Sequence, residues 1–242
     1  MHYNSCVFQV HNFSCLPKIY ASCKEVFEKN SSAPSGAYHL QLNKKSEVYQ
    51  AYCYNPNQTS VCGGGAWTLV MILNGAKPTF RYHSPLWTNK ETFNAEAALN
   101  DRGFEAKLAS YHNTPFTKIC LIMRANNKNA KSIVLNYTAS SLYSVIAGQT
   151  NHVKTNTSSA KWMSLIDSPT MQQNCNMEGF NMKFLSSELF LRIGLVGSHD
   201  KNCSHPETWL GYGLGGKYKY SSGNGNGMSG LIVQTFGYIS VQ

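Results

Sequence analysis

Three consecutive glycines followed directly by an apolar strand are the feature that most restricts how this chain of 242 residues can fold. Glycine lacks a Cβ and adopts positive φ easily, so Gly63–Gly65 predicts a sharp and crowded turn. In residues 66–73, apolar side chains occupy both alternating sets of positions. We therefore expect a central strand covered on both faces. The alternative, a phosphate-binding loop, would need a Lys-Ser or Lys-Thr pair that does not follow these glycines.

Composition sets the broad class of the protein. Hydrophobic residues make up 42% of the chain and charged residues 14%, below the usual ~25%, so we expect a packed globule with a neutral polar surface. No apolar run is long enough to span a bilayer. The first residues lack the basic start and apolar segment of a signal peptide, so we expect a fragment or a processed chain.

The net charge of +9 raises the question of nucleic-acid binding. The basic residues are dispersed, however, and the largest local groups are Lys44–Lys45 and Lys128 with Lys131. Neither group forms a stripe interleaved with stacking aromatics, so we expect no nucleic-acid partner and a solvated basic surface. Such a surface could favour sulfated or otherwise anionic polysaccharides.

The cysteines and glycosylation sequons indicate an oxidising, secreted setting. Eight cysteines give four potential pairs, and none has zinc-finger spacing with a histidine. Cys62 precedes the glycine turn and Cys120 lies in a second strand that is apolar on both faces, so adjacent central strands would pair them. The Asn-x-Ser/Thr sequons lie at Asn12, Asn30, Asn57, Asn136, Asn156 and Asn202.

The order of motifs resembles the opening of a fibrinogen C-terminal-like domain, which intelectins and ficolins share. The matching segments are Ser22–Glu25, Pro34–Tyr38, Tyr49–Cys53 and Gly63–Val70. The later segments Lys77–Phe80, Leu86–Trp87 and Phe236–Gln242 are more similar to extracellular proteins of corals and other marine invertebrates. The resemblance implies a sugar-binding, non-catalytic domain.

The resemblance also implies that Cys23 pairs with Cys53. Cys175 and Cys203 then remain as a pair, and Cys6 with Cys15 would close a short loop. We expect residues 1–21 to be an extension or the tail of an upstream module, and residues 22–242 to form one fibrinogen-like domain. Its predicted fold class is α+β, with small mixed or antiparallel sheets, short helices and long disulfide-stapled loops.

Local signals place individual elements along the chain. Ser22-x-x-Glu25 is a capping box and predicts a short helix from Cys23 to about Lys29. A second capping box, Thr88-x-x-Glu91, predicts a helix near residues 91–100. The Gly-, Asn- and Ser-rich segment that ends at Gly230 is expected to be a loop.

A calcium site is one candidate in the last third, where the family's sugar-binding members carry an acidic calcium loop. The matching residues are Asp200, Asn202 and Glu207. Calcium needs six to eight oxygen ligands, and Lys201 opposes a cation here. A site would therefore need Glu178 or backbone carbonyls, and an ordinary surface loop is the alternative.

A sugar site is the second candidate, because a pyranose ring needs an apolar platform and a few directional polar groups. The ligand-binding candidates are His199, His205, Glu207, Trp209, Tyr212, Tyr218 and Tyr220. Aromatics beside glycine turns can instead be core or loop anchors. A paired Cys203 could not bind zinc, so exposed loop histidines are favoured over a zinc site at His199 and His205.

Enzyme signatures are missing from the sequence. Gly211-x-Gly213-x-x-Gly216 matches a dinucleotide fingerprint by letter, but no βαβ unit surrounds it. Hydrolase motifs and flanking carboxylate pairs are also lacking. We therefore expect no catalysis and a secreted recognition protein that binds glycans in innate recognition or adhesion. The alternative is a structural component of extracellular or skeletal organic matrix, which binds matrix glycoproteins, and formation of homo-oligomers remains open.

Overall fold

The computed structural model describes residues 3–9, 12–58, 61–100, 103–125, 128–147, 151–201 and 203–242, with side chains from residue 17 onward except at residue 61. Within these ranges the chain is rich in strands. The strands are β1 (Tyr3–Gln9), β2 (Asn12–Pro17), β3 (Ile19–Tyr20), β4 (Gly36–Leu40), β5 (Tyr49–Tyr54), β6 (Trp67–Asn74), β7 (Ala106–Lys107), β8 (Phe116–Ala125), β9 (Lys131–Ala139), β10 (Cys175–Phe184), β11 (Leu189–Ser198), β12 (Thr208–Gly216), β13 (Ser222–Asn226) and β14 (Leu231–Val241). The helices are α1 (Cys23–Lys29), α2 (Ala95–Asn100), α3 (Ser110–Asn113), α4 (Leu142–Ile146) and α5 (Ser159–Met163).

Strand β14 connects two groups of strands. Its first residues, Leu231–Gln234, pair with β13, and β10 to β13 continue as an antiparallel series. Its second part, from Thr235 to Val241, lies between β6 and β8. Strands β5, β4 and β3 extend the sheet beyond β6, and β9 pairs with β8. A sheet-rich fold with short helices agrees with the predicted α+β class, but the prediction of small sheets is wrong, because β3 to β14 of the described chain form one continuous sheet.

The glycine turn has the expected conformation. Gly63, Gly64 and Gly65 have φ of 73°, 84° and 103°, in the left-handed region that glycine tolerates best. A Cβ on Gly65 would lie 2.4 Å from the Gln242 side-chain nitrogen, whereas a Cβ on Gly63 or Gly64 would meet nothing within 4 Å, so the predicted crowding is present only at Gly65. Residues 67–73 of β6 are all buried, which confirms a strand covered on both faces.

Three predicted disulfides are present. Cys23 bonds to Cys53, Cys62 to Cys120, and Cys175 to Cys203. The predicted Cys6–Cys15 bond falls on side chains outside the described residues, although the β1–β2 backbone pairing places the two Cα positions opposite each other.

The two capping boxes have different outcomes. Helix α1 is confirmed, with the Ser22 hydroxyl accepting a hydrogen bond from the Glu25 backbone N–H. The second prediction is wrong in its start: Thr88 ends the 3₁₀ turn Pro85–Trp87, and helix α2 begins only at Ala95. The Glu91 carboxylate instead accepts a hydrogen bond from the Asn89 side chain.

The predicted loop before Gly230 is also wrong in part, because Ser222–Asn226 forms strand β13. Its glycines pack closely rather than break the strand. A Cβ on Gly225 would lie 2.6 Å from the Trp209 ring, and a Cβ on Gly223 would lie 2.3 Å from the Val233 carbonyl oxygen. The glycine content of this segment indicated a turn, but in the structure these glycines allow neighbouring strands and side chains to approach β13 closely.

The end of the N-terminal extension joins the main sheet. Ile19 and Tyr20 form a short parallel pairing with His39 and Leu40 of β4. The Tyr20 ring is buried against the Tyr38 ring at 6.1 Å. Tyr20 therefore contributes to the core beside helix α1, whereas Ile19 is exposed.

Candidate functional site

The segment Ser198–Glu207 follows strand β11 and lies at the end of the β10–β11 pair. Cys175 is opposite Ser198 in this pairing, and its disulfide to Cys203 ties the segment to β10. The Asn174 side chain donates a 2.6 Å hydrogen bond to the His199 carbonyl. These contacts hold the segment in place at the strand end.

Asp200 is hydrogen-bonded within its own segment. Its Oδ1 accepts from the Ser198 hydroxyl at 2.7 Å, and its Oδ2 accepts from the Ser204 hydroxyl. The hydrogen bonds from Ser204 and Ser198 hold the pKa of the carboxyl below its ordinary value. Asp200 therefore acts first as the organiser of the turn around Cys203.

Glu207 belongs to a separate polar group. Its Oε2 lies 3.3 Å from His199 Nδ1 and accepts a 3.2 Å hydrogen bond from the Gln172 amide. His199 is exposed, while Glu207 is half-buried. His205 is also exposed, and its Nδ1 lies 3.1 Å from the Ser204 hydroxyl.

The described residues of this segment do not fit a calcium ion. Calcium requires several oxygens that converge on one point. Asp200 and Glu207 instead bind different neighbours, and Asn202 lies outside the described residues. No group of three or more His, Cys, Asp or Glu side chains is placed for metal binding in the described part of the chain.

Glu178 is engaged in hydrogen bonds with residues outside the Ser198–Glu207 segment. Its carboxylate accepts hydrogen bonds from the Thr155 hydroxyl and backbone N–H, the Asn156 N–H and the Trp162 Nε1. A carboxylate with this many donors organises the residues before helix α5. It does not supply the additional calcium ligand that the Ser198–Glu207 segment would need.

Two of the predicted sugar-platform residues are core residues. Trp209 and Tyr212 are both 0% exposed. The Tyr212 ring lies against Gly237, where a Cβ would approach to 2.5 Å, and its hydroxyl donates to the Ile122 carbonyl. Neither ring can present a face to a ligand in this structure. Alternation along β12 places the two side chains on opposite faces of the sheet, and each is buried there in a different core cluster.

The remaining two tyrosines lie nearer the surface. Tyr218 is 8% exposed and packs on Trp209 with ring centroids 5.9 Å apart. Tyr220 is half-buried and is stacked with Trp209, at 6.4 Å and an interplanar angle of 20°. Tyr220 also lines a cavity.

That cavity is an open cleft of about 580 Å³ beside strand β14. Its volume lies within the range of roughly 300–1,000 Å³ that is typical of small-ligand sites. Its lining residues are Ala125, Lys128, Ile166, Asp167, Tyr220, Ile232, Val233 and Gln234. No described residue of the Ser198–Glu207 segment lines it, so the structure does not bring the two halves of the predicted site together.

The polar side of the cleft is centred on Asp167. Its carboxylate forms an ion pair with Lys131 and lies 3.9 Å from the Lys128 ammonium. The hydrogen bond from Lys131 lowers the pKa of Asp167, so the group is ionised at neutral pH. Gln234 is exposed at the other side of the cleft and adds an amide donor and acceptor.

Sequence reasoning noted Lys128 and Lys131 as a local basic pair but did not connect them with Asp167. The reason is topological, since the lysines flank the β8–β9 turn and Asp167 follows helix α5. No short-range motif links those positions. The exposed aliphatic run Leu231–Val233 was the available signal, because three consecutive apolar residues face solvent there.

No protein-family model matches this chain. In the described residues, no helix combines the length and apolarity that crossing a bilayer requires. The cleft and the disulfides are therefore the structural basis for assigning a function.

The described sequons are accessible. Asn30, Asn57, Asn136 and Asn156 are all exposed. The side chain of Asn12, the acceptor Thr59 of the Asn57 sequon, and Asn202 lie outside the described residues. Accessible asparagines at four positions are compatible with glycan attachment.

Proposed function

We propose that this chain is a secreted, non-catalytic carbohydrate-recognition protein built on a fibrinogen C-terminal-like domain. The cleft beside β14 is the observation that carries the proposal. Tyr220, Ile166, Ile232 and Val233 give it apolar surface, and Asp167 with neighbouring polar groups gives it directional hydrogen bonding. A pyranose ring presents an apolar face and a rim of hydroxyls, which is the complementary chemistry.

Further support comes from the covalent features. Disulfides persist in oxidising compartments, and three of them join distant parts of the described chain. The exposed Asn-x-Ser/Thr sequons also favour a secreted protein, in which such asparagines carry glycans. The fibrinogen-like resemblance adds the expectation of sugar binding without catalysis.

The test is a glycan array probed with the purified glycoprotein, followed by affinity measurements on any sugar that binds. Asp167→Ala and Gln234→Ala alter exposed side chains of the cleft, so both variants should fold. Each should weaken binding about tenfold, the effect of losing a hydrogen bond to a charged or well-placed polar group. Gln50→Ala is the matched control, because Gln50 is exposed on β5 and does not line the cleft.

Equal affinity in all three variants would remove the cleft as the binding site. Binding to matrix proteins that free sugar does not compete would favour the alternative, a structural adhesion module. Cleavage of a bound glycan during incubation would contradict the non-catalytic assignment.

A further inference from the structure

A second surface collects positive charge around a single tyrosine ring. We name it the Tyr82 patch, formed by Arg81, Tyr82, His83, Lys183, Phe190 and Arg192. The Tyr82 backbone N–H donates a 2.7 Å hydrogen bond to the Leu214 carbonyl of β12. Gly215 makes room for this contact, because a Cβ there would lie 2.5 Å from the Tyr82 Cβ. Glycine in β12 thus allows the loop to lie on the sheet.

Arg192 forms the base of the patch. It is 9% exposed, and its guanidinium carbon lies 4.1 Å from the centroid of the Tyr82 ring. Its Nε donates to the Tyr82 carbonyl at 2.9 Å, and its Nη1 donates to the Asn181 side-chain oxygen at 2.8 Å. Both acceptors are neutral.

No carboxylate in the described part of the chain forms an ion pair with this buried cation. Its pKa is lowered by burial, and the opposing influences come from Tyr82 and Tyr111 rather than from an acid. A buried charge without a counter-charge is costly, and its positive potential is poorly screened by solvent.

Lys183 and Arg81 are the exposed cations of the patch. The Lys183 ammonium lies 5.9 Å from the Tyr82 centroid. Burial lowers the pKa of His83, and Arg192, Lys183 and Arg81 lower it further. All three cations therefore lie close enough to act on one imidazole, which is held neutral at neutral pH.

The acidic residue closest to Arg192 in the sequence is Glu188, which lies in the β10–β11 turn. Among the described residues, it forms no ion pair with any cation of the patch. As far as the structure describes the chain, the patch is therefore positive and no acid pairs with its cations.

Aromatic surface accompanies the charge. The His83 and Phe190 rings meet edge to face at 5.4 Å, and each lies within 5.5 Å of the Tyr82 ring. His83 is exposed and Phe190 is half-buried, so ring surface is available at the patch. Aromatic surface beside cations suits a sugar ring that carries an acidic substituent.

We propose that the Tyr82 patch binds an acidic saccharide, with a sulfate or carboxylate group at the cations and the sugar ring against His83 and Phe190. The inference rests on the proposed function for the class of ligand, a saccharide. It uses a surface that shares no residue with the β14 cleft. The net charge of +9 assists by attracting polyanions from a distance.

The experiment measures binding to immobilised dextran sulfate and to unsulfated dextran, at two ionic strengths. We expect binding to dextran sulfate alone, weakened by salt. Lys183→Ala and Arg81→Ala remove exposed charges and should each reduce affinity about fivefold, the upper range for an exposed ionic contact. Lys44→Ala, an equal charge change in the β4–β5 turn, should reduce it less than about twofold.

Equal losses in all three variants would show attraction by net charge alone and would overturn the proposal. Equally tight binding of single-stranded DNA would overturn the saccharide assignment. The two sites are separable, because Gln234→Ala, which changes no charge, should leave dextran sulfate binding unchanged. If no array sugar binds but Lys183→Ala still reduces dextran sulfate binding, the Tyr82 patch is supported and the β14 cleft is excluded as a sugar site.

Discussion

The Tyr212 hydroxyl donates a 3.0 Å hydrogen bond to the carbonyl oxygen of Ile122, 90 residues earlier in the chain. Tyr212 lies on β12 and Ile122 lies on β8, and neither strand pairs with the other. The bond therefore joins the β10–β13 series to the strands around β14. Burial raises the pKa of Tyr212 well above its ordinary value, so the hydroxyl remains a donor.

Tyr212→Phe should reduce the free energy of unfolding by about 1 kcal/mol, because it removes one hydrogen bond within the core. Urea unfolding followed by tryptophan fluorescence measures the change. Tyr220→Phe is the matched control, since the Tyr220 ring is only half-buried, and it should be close to neutral in stability. Loss of sugar affinity in Tyr212→Phe with unchanged stability would contradict a purely structural role.

The sequence predicted those parts of the fold that depend on local order. Helix α1 follows from its capping box, and the strand after the glycine turn follows from its apolar pattern. Adjacent strands predicted the Cys62–Cys120 pair, the family resemblance implied Cys23–Cys53, and Cys175 and Cys203 remained as a pair. The second capping box failed because Thr88 ends a 3₁₀ turn that begins with Pro85. A capping signal in the sequence does not show whether the residue ends the preceding turn or begins the following helix.

The candidate site was less predictable, since it depends on which strands meet. Trp209 and Tyr212 carry the chemistry of a sugar platform, but the direction of each side chain is set by the neighbours of β12. Glycines at 225 and 237 leave space that these rings fill. The composition of the segment indicated exposed aromatics, whereas the packing of three strands buries them.

The Cys62–Cys120 disulfide makes a specific stability prediction. It closes a loop of 58 residues between the glycine turn and β8, and both cysteines are buried beside Trp67. Replacing both cysteines with alanine should cost about 4 kcal/mol, mainly through the greater freedom of the unfolded chain. Urea unfolding measures the loss, and a peptide map that shows either thiol free in the wild type would contradict the pairing.

Calcium removal tests the Ser198–Glu207 segment. Asp200 and Glu207 are engaged with separate protein donors, so we expect a chelator to leave the melting temperature unchanged. Asp200→Asn should lower the melting temperature by a few degrees, because it weakens the contacts with Ser198 and Ser204. A chelator-induced fall of similar size in the wild type, absent in Asp200→Asn, would instead establish an ion at this carboxylate.

Lys107 is a fully buried lysine that sequence reasoning did not identify. Its ammonium donates to the backbone and side-chain oxygens of Asn89, both at 2.7 Å, and lies 4.7 Å from the Tyr111 ring centroid. Burial lowers the pKa of Lys107 to about 8, and Glu91 opposes this shift. Lys107 thereby anchors the segment after the Pro85–Trp87 turn to strand β7.

This pKa predicts how stability depends on pH. The ordinary pKa of lysine is 10.5, so between pH 8 and pH 10.5 the unfolded chain holds a proton that the folded chain has released. Folding stability therefore rises with pH in this window, and we expect a contribution of about 2 kcal/mol between pH 8 and pH 10. Below pH 8 both states are protonated and the contribution is constant.

Lys107→Met should abolish this rise in the free energy of unfolding, measured by urea unfolding between pH 8 and pH 10, while Lys118→Met, at an exposed position on β8, should retain it. A wild-type profile that matches Lys107→Met at every pH would show that Lys107 keeps an ordinary pKa and that its contacts with Asn89 offset the cost of burial.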